Sequence, residues 1–271
     1  MVVWVAQPFH RDSIMLAFWF GLVLPASILR FSATLSWDLG HPRRQLFTIS
    51  FLVPILIAVD FLILGCIDLA FNPSEKVFNF TSRLAHASLW LIVPMCLIRT
   101  RVLHWPNCVS RAGIWQKLTI ALLGITVVLP YAISINTGGL PWPTVFGRIA
   151  ETVLAAAAEE VLFRALLLSS LVIIAPSTPY SLMLASISFG VMHVPYTVFT
   201  HVHNFGALDA YDCLSIVTRT LLQSSIGSFL GAVWLRTNSM VLIVVLHSAL
   251  NIGINAQSFS QLSAHIDAFS T

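Results

Sequence analysis

Charge is what this chain has least of. Only 9% of its 271 residues are Asp, Glu, Lys or Arg, where a soluble domain carries about 25%. Fourteen basic and eleven acidic side chains cannot wet the surface of a globule this size. That scarcity excludes a soluble enzyme and a disordered chain. The net charge of +3 is too small for a nucleic-acid partner, and none is expected. Cysteine is scarce as well: Cys66, Cys96, Cys108 and Cys213 form no CxxC and no Cys/His zinc spacing, so no disulfide framework is indicated. HExxH and the serine-nucleophile elbow are both missing, as are internal repeats and low-complexity tracts.

Apolar residues are what the chain has instead, at 57%. They gather into continuous runs, which argues for helices and against an alternating barrel. A membrane span needs about 20 such residues, and eight stretches qualify, at roughly 13–34, 46–71, 84–104, 117–137, 149–174, 180–200, 212–235 and 240–257. The expected fold is all-α, a polytopic transmembrane bundle of about eight spans around a central intramembrane active-site cavity. The first run is too long for a signal peptide and is followed by Arg30, so it reads as a span. Arg30, Arg43, Arg44, Arg99, Arg101, Arg111, Lys117 and Arg236 fall on one side of that bundle, against Arg11, Lys76, Arg83 and Arg148 on the other. The bias predicts both termini outside the cytoplasm.

Polar chemistry concentrates in the second half. Span five contains Glu159, Glu160 and Arg164 after a run of four alanines. Each costs about 2.5–3.5 kcal/mol at the bilayer centre, which points to use rather than accident. Glu160 and Arg164 are one helical turn apart and can pair, leaving Glu159 free on another face. The alanines admit a close neighbour, so Glu159 is expected inside the bundle. Span six places Phe189 and His193 on one face, and span eight places His247 and Asn251 on one face. Counting helical rise, Glu159 lies about 15 Å deep, His193 about 10 Å from the same face, and His247 and Asn251 about 10 and 16 Å from the opposite face. All four fall within a slab roughly 10 Å thick at the middle of the core.

One free carboxylate, two imidazoles and a carboxamide at one level suit hydrolysis by activated water. Glu159 is the candidate base. One histidine helps orient the water, and the other donates with Asn251 to an oxyanion. A rival reading makes Glu159, His193 and His247 a zinc-ligand set. The residues alone do not separate the two, although Asn251 is a poorer zinc ligand than oxyanion donor. No cofactor is expected, with zinc at those three residues left open.

Glu159-Glu160…Arg164, Phe189…His193 and His247…Asn251, in this order, resemble the CAAX-protease and bacteriocin-processing (abortive-infection) family of intramembrane endopeptidases. Its pattern is Glu-Glu-x-x-x-Arg, Phe-x-x-x-His and His-x-x-x-Asn. The segment from Gly227 to Ser239 is also similar to the family's stretch before the last motif. The resemblance implies a glutamate-dependent protease of eight helices, acting on a lipidated CAAX protein, a bacteriocin-like peptide or a sorting signal. Eukaryotic relatives trim three residues from prenylated proteins. It implies that Glu159 and His193 activate water, that His247 and Asn251 hold the oxyanion, and that Glu160, Arg164 and Phe189 support them. Ala165 departs from the glycine that many members carry. A silent scaffold or immunity protein of the same fold is the alternative.

On this reading roughly residues 1–114 are scaffold helices, 115–257 the catalytic core and 258–271 a tail. The expected setting is a bacterial inner membrane, with lipid and a peptide or lipidated protein as partners and the oligomeric state open. Smaller features are Asp60 and Asp68 in span two, His86 in span three, and a solvated loop over Thr200-His201-Val202-His203-Asn204. Arg219 is a partner for Asp60 or for a substrate carboxylate, and Asn79-Phe80-Thr81 fits a glycosylation sequon.

Overall fold

A computed structural model describes residues 19–30, 36–38, 41–71, 75–109, 114, 118, 122, 142–205, 208 and 210–254. The expected span over 117–137 lies outside these residues apart from Leu118 and Leu122, and the tail lies outside them altogether. Among the described residues the fold is a bundle of helical rods. A π-helical turn, Trp19–Val23, runs into α1 (Leu24–Arg30). Then come α2 (Pro42–Phe71), α3 (Glu75–Arg99) and α4 (Trp142–Glu160). A second π-helical segment, Val161–Leu168, continues α4 directly into α5 (Ser169–Ile174). The last three rods are α6 (Thr178–Phe205), α7 (Ala210–Thr237) and α8 (Met240–Ile254).

Two details were not foreseen from the sequence. First, the fold is all-helical as expected but carries one short pairing, in which β1 (Ser36–Asp38) runs antiparallel to β2 (Asn107–Val109), Trp37 opposite Cys108. These segments lie in connections outside the apolar runs, where backbone groups must find partners other than a helix ladder. Second, Thr200–Asn204 is not a loop, because α6 carries on through it to Phe205. Polarity suggested a loop, but extending an existing helix adds one hydrogen bond for each residue fixed, and Pro195 upstream is accommodated within the rod.

The exposed faces carry the membrane reading. On α2 the buried side is Gln45, Ile49, Leu52 and Leu56, while Phe47, Phe51, Ile55 and Leu62 point outward. Met183, Ile187 and Val191 on α6 and Leu214, Val217 and Leu221 on α7 repeat the pattern. Apolar stripes of this extent are intolerable in water and natural in lipid. Pro42–Ile63 and Thr178–Val198 are long and apolar enough to cross a membrane, and Trp19–Ile28, Ala85–Arg99 and Met240–Asn251 are shorter apolar helices.

Close packing fixes the working half. A methyl group added at Gly190 on α6 would strike Ser224 Oγ and the Thr220 carbonyl of α7, so only glycine permits this approach. α7 and α8 are joined by a very tight turn. Asn238 adopts a left-handed φ of 48°, a conformation asparagine tolerates better than most residues. Its amide donates to the Trp234 carbonyl at 2.8 Å, and Ser239 Oγ accepts from the Leu242 amide at 3.3 Å as the cap of α8. The first rod is tied to α7 by Ser228 Oγ donating to the Gly21 carbonyl at 3.1 Å and Arg236 Nε donating to that of Ile28 at 2.8 Å.

Candidate active site

The site begins where α4 ends. Glu159 and Glu160 are its last two residues, and the winding widens immediately afterwards. Every residue from Glu159 to Leu171 is buried. A π segment shifts the register of the helix beyond it and leaves carbonyls to be satisfied by side chains. Ser169 Oγ donates to the Arg164 carbonyl at 3.1 Å, and Ser170 Oγ to that of Leu166 at 2.7 Å. Gln45 Nε2, from α2, reaches the same Leu166 carbonyl at 3.4 Å.

Glu160 is fully buried and its partners are close. Arg164 Nη1 lies 2.9 Å from its Oε1, the one-turn pair expected from the spacing. The same oxygen accepts from His247 Nδ1 at 2.7 Å. An ionised carboxylate only accepts, so this partner assigns a proton to Nδ1. The guanidinium of Arg164 sits over Phe189, its carbon 4.2 Å from the ring centroid, and Nη2 donates to the Gly227 carbonyl at 3.4 Å. Phe189 also meets the rings of Phe163, His193 and His247 edge-on at 5.3, 4.9 and 5.8 Å. Its spacing alone suggests little more than packing. In the fold it is the floor under a buried cation.

Glu159 points elsewhere, as the 100° step between neighbours requires. Its Oε2 lies 3.8 Å from His193 Nε2 and 3.8 Å from His247 Nε2. That oxygen has no hydrogen-bond partner among the described residues. His193 Nδ1 is 2.8 Å from the Phe189 carbonyl, which can only accept, so it too carries a proton. Three separate rods therefore bring Glu159, His193 and His247 to one point. Asn251 stands one turn beyond His247 on α8, partly exposed. Among the described residues no group of three His, Cys, Asp or Glu side chains stands at metal-ligand spacing.

The sequence reading missed two things. Asp60 does not turn to Arg219, which is exposed on α7. Its Oδ2 accepts from His86 Nδ1 at 2.6 Å and from Trp90 Nε1. The signal was present, since two ionisable residues in adjacent apolar runs are each expensive alone and cheaper together. Glu151, only 4% exposed two turns before Glu159, also went unnoticed. A cavity of about 510 Å³ lies apart from all of these residues, lined by His41, Pro42, Arg43, Arg44, Ile173 and Ile174.

Residues 140–253 match the family described as type II CAAX prenyl endopeptidase Rce1-like. This is a family of membrane-embedded proteases. No curated protein and no solved structure matches the chain.

Proposed function

We propose, from the premise that residues 140–253 are an Rce1-like type II CAAX prenyl endopeptidase segment, that the chain is an intramembrane endopeptidase using water activated by Glu159. Its substrate is a peptide bond near the membrane, in a prenylated CAAX sequence, a bacteriocin-like peptide or a sorting signal. The bundle has eight spans and sits in a bacterial inner membrane, both termini outside the cytoplasm. One observation carries the reading: two imidazole Nε2 atoms stand 3.8 Å from a single oxygen of Glu159 while their Nδ1 atoms are tied off differently.

The difference separates their roles. His193 gives its Nδ1 proton to a carbonyl, so its neutral ring offers a lone pair at Nε2. A water between Glu159 Oε2 and His193 Nε2 donates one proton to each and presents its oxygen to the substrate. The 3.8 Å spacing is too long for a direct hydrogen bond and suits a bridging water. His247 gives its Nδ1 proton to Glu160. His247 Nε2, turned toward Glu159 Oε2 at 3.8 Å, acts with Asn251 as the donor that holds the oxyanion of the tetrahedral intermediate. Glu160 fixes the His247 ring, and Arg164, resting on Phe189, fixes Glu160. No metal takes part in this scheme.

The test uses the full chain in detergent with a quenched peptide bearing a prenylated cysteine three residues from its end. Glu159→Gln should lower kcat by about 10²-fold or more without moving the melting temperature. Wild-type turnover by that variant refutes the scheme. Activity should survive chelation, and loss restored by zinc would transfer water activation to a metal. A wild type that never cleaves, while Glu159→Gln, His193→Ala and His247→Ala melt early, would favour a silent scaffold.

A further inference from the structure

Outside the segment matched to the family lies a second acid–imidazole pair. Asp60 on α2 accepts from His86 Nδ1 at 2.6 Å and from the indole N–H of Trp90 on α3. The His86 ring stacks on Trp90 at 5.1 Å and 30°. Two contacts thus fix the ring's tilt and its tautomer. The proton lies on Nδ1, and Nε2 faces away from Asp60. The pair is closed on its acid side and open on its base side: the Asp60 side chain is 14% exposed and that of His86 35%. A clamp that only joined α2 to α3 would have no need of an open imidazole edge. The pair also belongs to the site's neighbourhood. His86 lies within electrostatic reach of Glu159 and of His193, and α3 packs along α4, which carries Glu159.

We propose that His86, oriented by Asp60 and Trp90, is a further catalytic residue that delivers a proton to the amide nitrogen as the scissile bond breaks. The proposal rests on the endopeptidase reading and supplies what that reading lacks. Glu159 and His193 act on water, and His247 and Asn251 on the oxyanion. Apart from the Glu159 carboxyl once it has taken a proton, no group is left for the leaving nitrogen, which departs poorly as an amide anion. In the step, water oxygen bonds to the carbonyl carbon and Glu159 takes one water proton. The C–N bond breaks with its electron pair on nitrogen, and the Nε2 proton of an imidazolium at His86 passes to that nitrogen. The neutral ring regains a proton from the Glu159 carboxyl, so the cycle consumes one water and releases an acid and an amine. Asp60 steadies the imidazolium without changing its own protonation, as the acid does in the serine-protease triad.

The experiment compares two bonds on one acyl group. The full chain in detergent is given the prenylated peptide, whose leaving group is an amine, and the same acyl group as a p-nitrophenyl ester, whose leaving group needs no proton. His86→Gln should cut kcat on the amide by about 10²-fold, with KM nearly unchanged, and slow the ester by less than about fivefold. Asp60→Asn should shift the ratio in the same direction by less. Equal losses on both substrates would make His86 structural, and an undiminished amide rate would remove it from the reaction. Either result overturns the proposal. Should His86→Gln fail to fold, His86→Asn and Asp60→Asn supply the same ratio. The endopeptidase reading fails differently, through a wild type inert on both substrates or a Glu159→Gln variant active on both.

Discussion

Glu160 shows how much one side chain can organise. A single oxygen receives Arg164 at 2.9 Å and His247 at 2.7 Å, and all three side chains are buried. Removing it strands a buried guanidinium, which costs about 3–5 kcal/mol. Glu160→Ala should therefore unfold early in a detergent melt, and Glu160→Ala combined with Arg164→Met should recover much of the loss. If the double variant is no better than the single one, the pair is not what Glu160 supports. The two halves of this arrangement differed in legibility. Glu160–Arg164 could be read from one-turn spacing. His247 on Glu160 could not, because it links residues 87 apart through the packing of two rods. Likewise Asp60 and His86 were visible as ionisable residues in two apolar runs, but their pairing across 26 residues needed coordinates.

Among the described residues, the order of the helices was legible in the runs of apolar residues, because hydrocarbon leaves the backbone few alternatives. What pattern reasoning could not see was local winding and closeness. The π-helical register shift after Glu160 has no composition of its own. Nor does the glycine at 190 announce that α7 runs against it. Two glycines give a sharp contrast. At Gly190 an added methyl meets Ser224 and the Thr220 backbone, whereas at Gly147 on α4 it meets nothing. Gly190→Ala should cost about 1–3 kcal/mol through overpacking. It should also lower activity, since Phe189 and His193 flank the displaced turn. Gly147→Ala should be neutral or stabilising by up to about 1 kcal/mol. Thermal melts of the two variants decide it, and equal melting temperatures would contradict the packing described.

At the scale of the molecule, the matched stretch of residues 140–253 is not a freestanding unit. Gln45 of α2 caps a carbonyl inside the π segment, its Oε1 accepts from the His104 amide at 2.9 Å, and Arg236 of α7 is anchored on the Ile28 carbonyl. A chain beginning near residue 140 should insert but melt early and cleave nothing. Co-expression with the first 115 residues should restore turnover, and activity of the shorter chain alone would refute this dependence. Charge scarcity announced a membrane protein from composition. The strand pair joining two connections stayed hidden, because three-residue strands leave no periodic trace. The turn at Asn238 has a consequence for traffic. With so few residues between them, α7 and α8 have no slack, and His247 travels with the Gly227 carbonyl that holds Arg164. On the proposed reading, a substrate does not reach Glu159 by separating α7 from α8 at the end that this turn ties together.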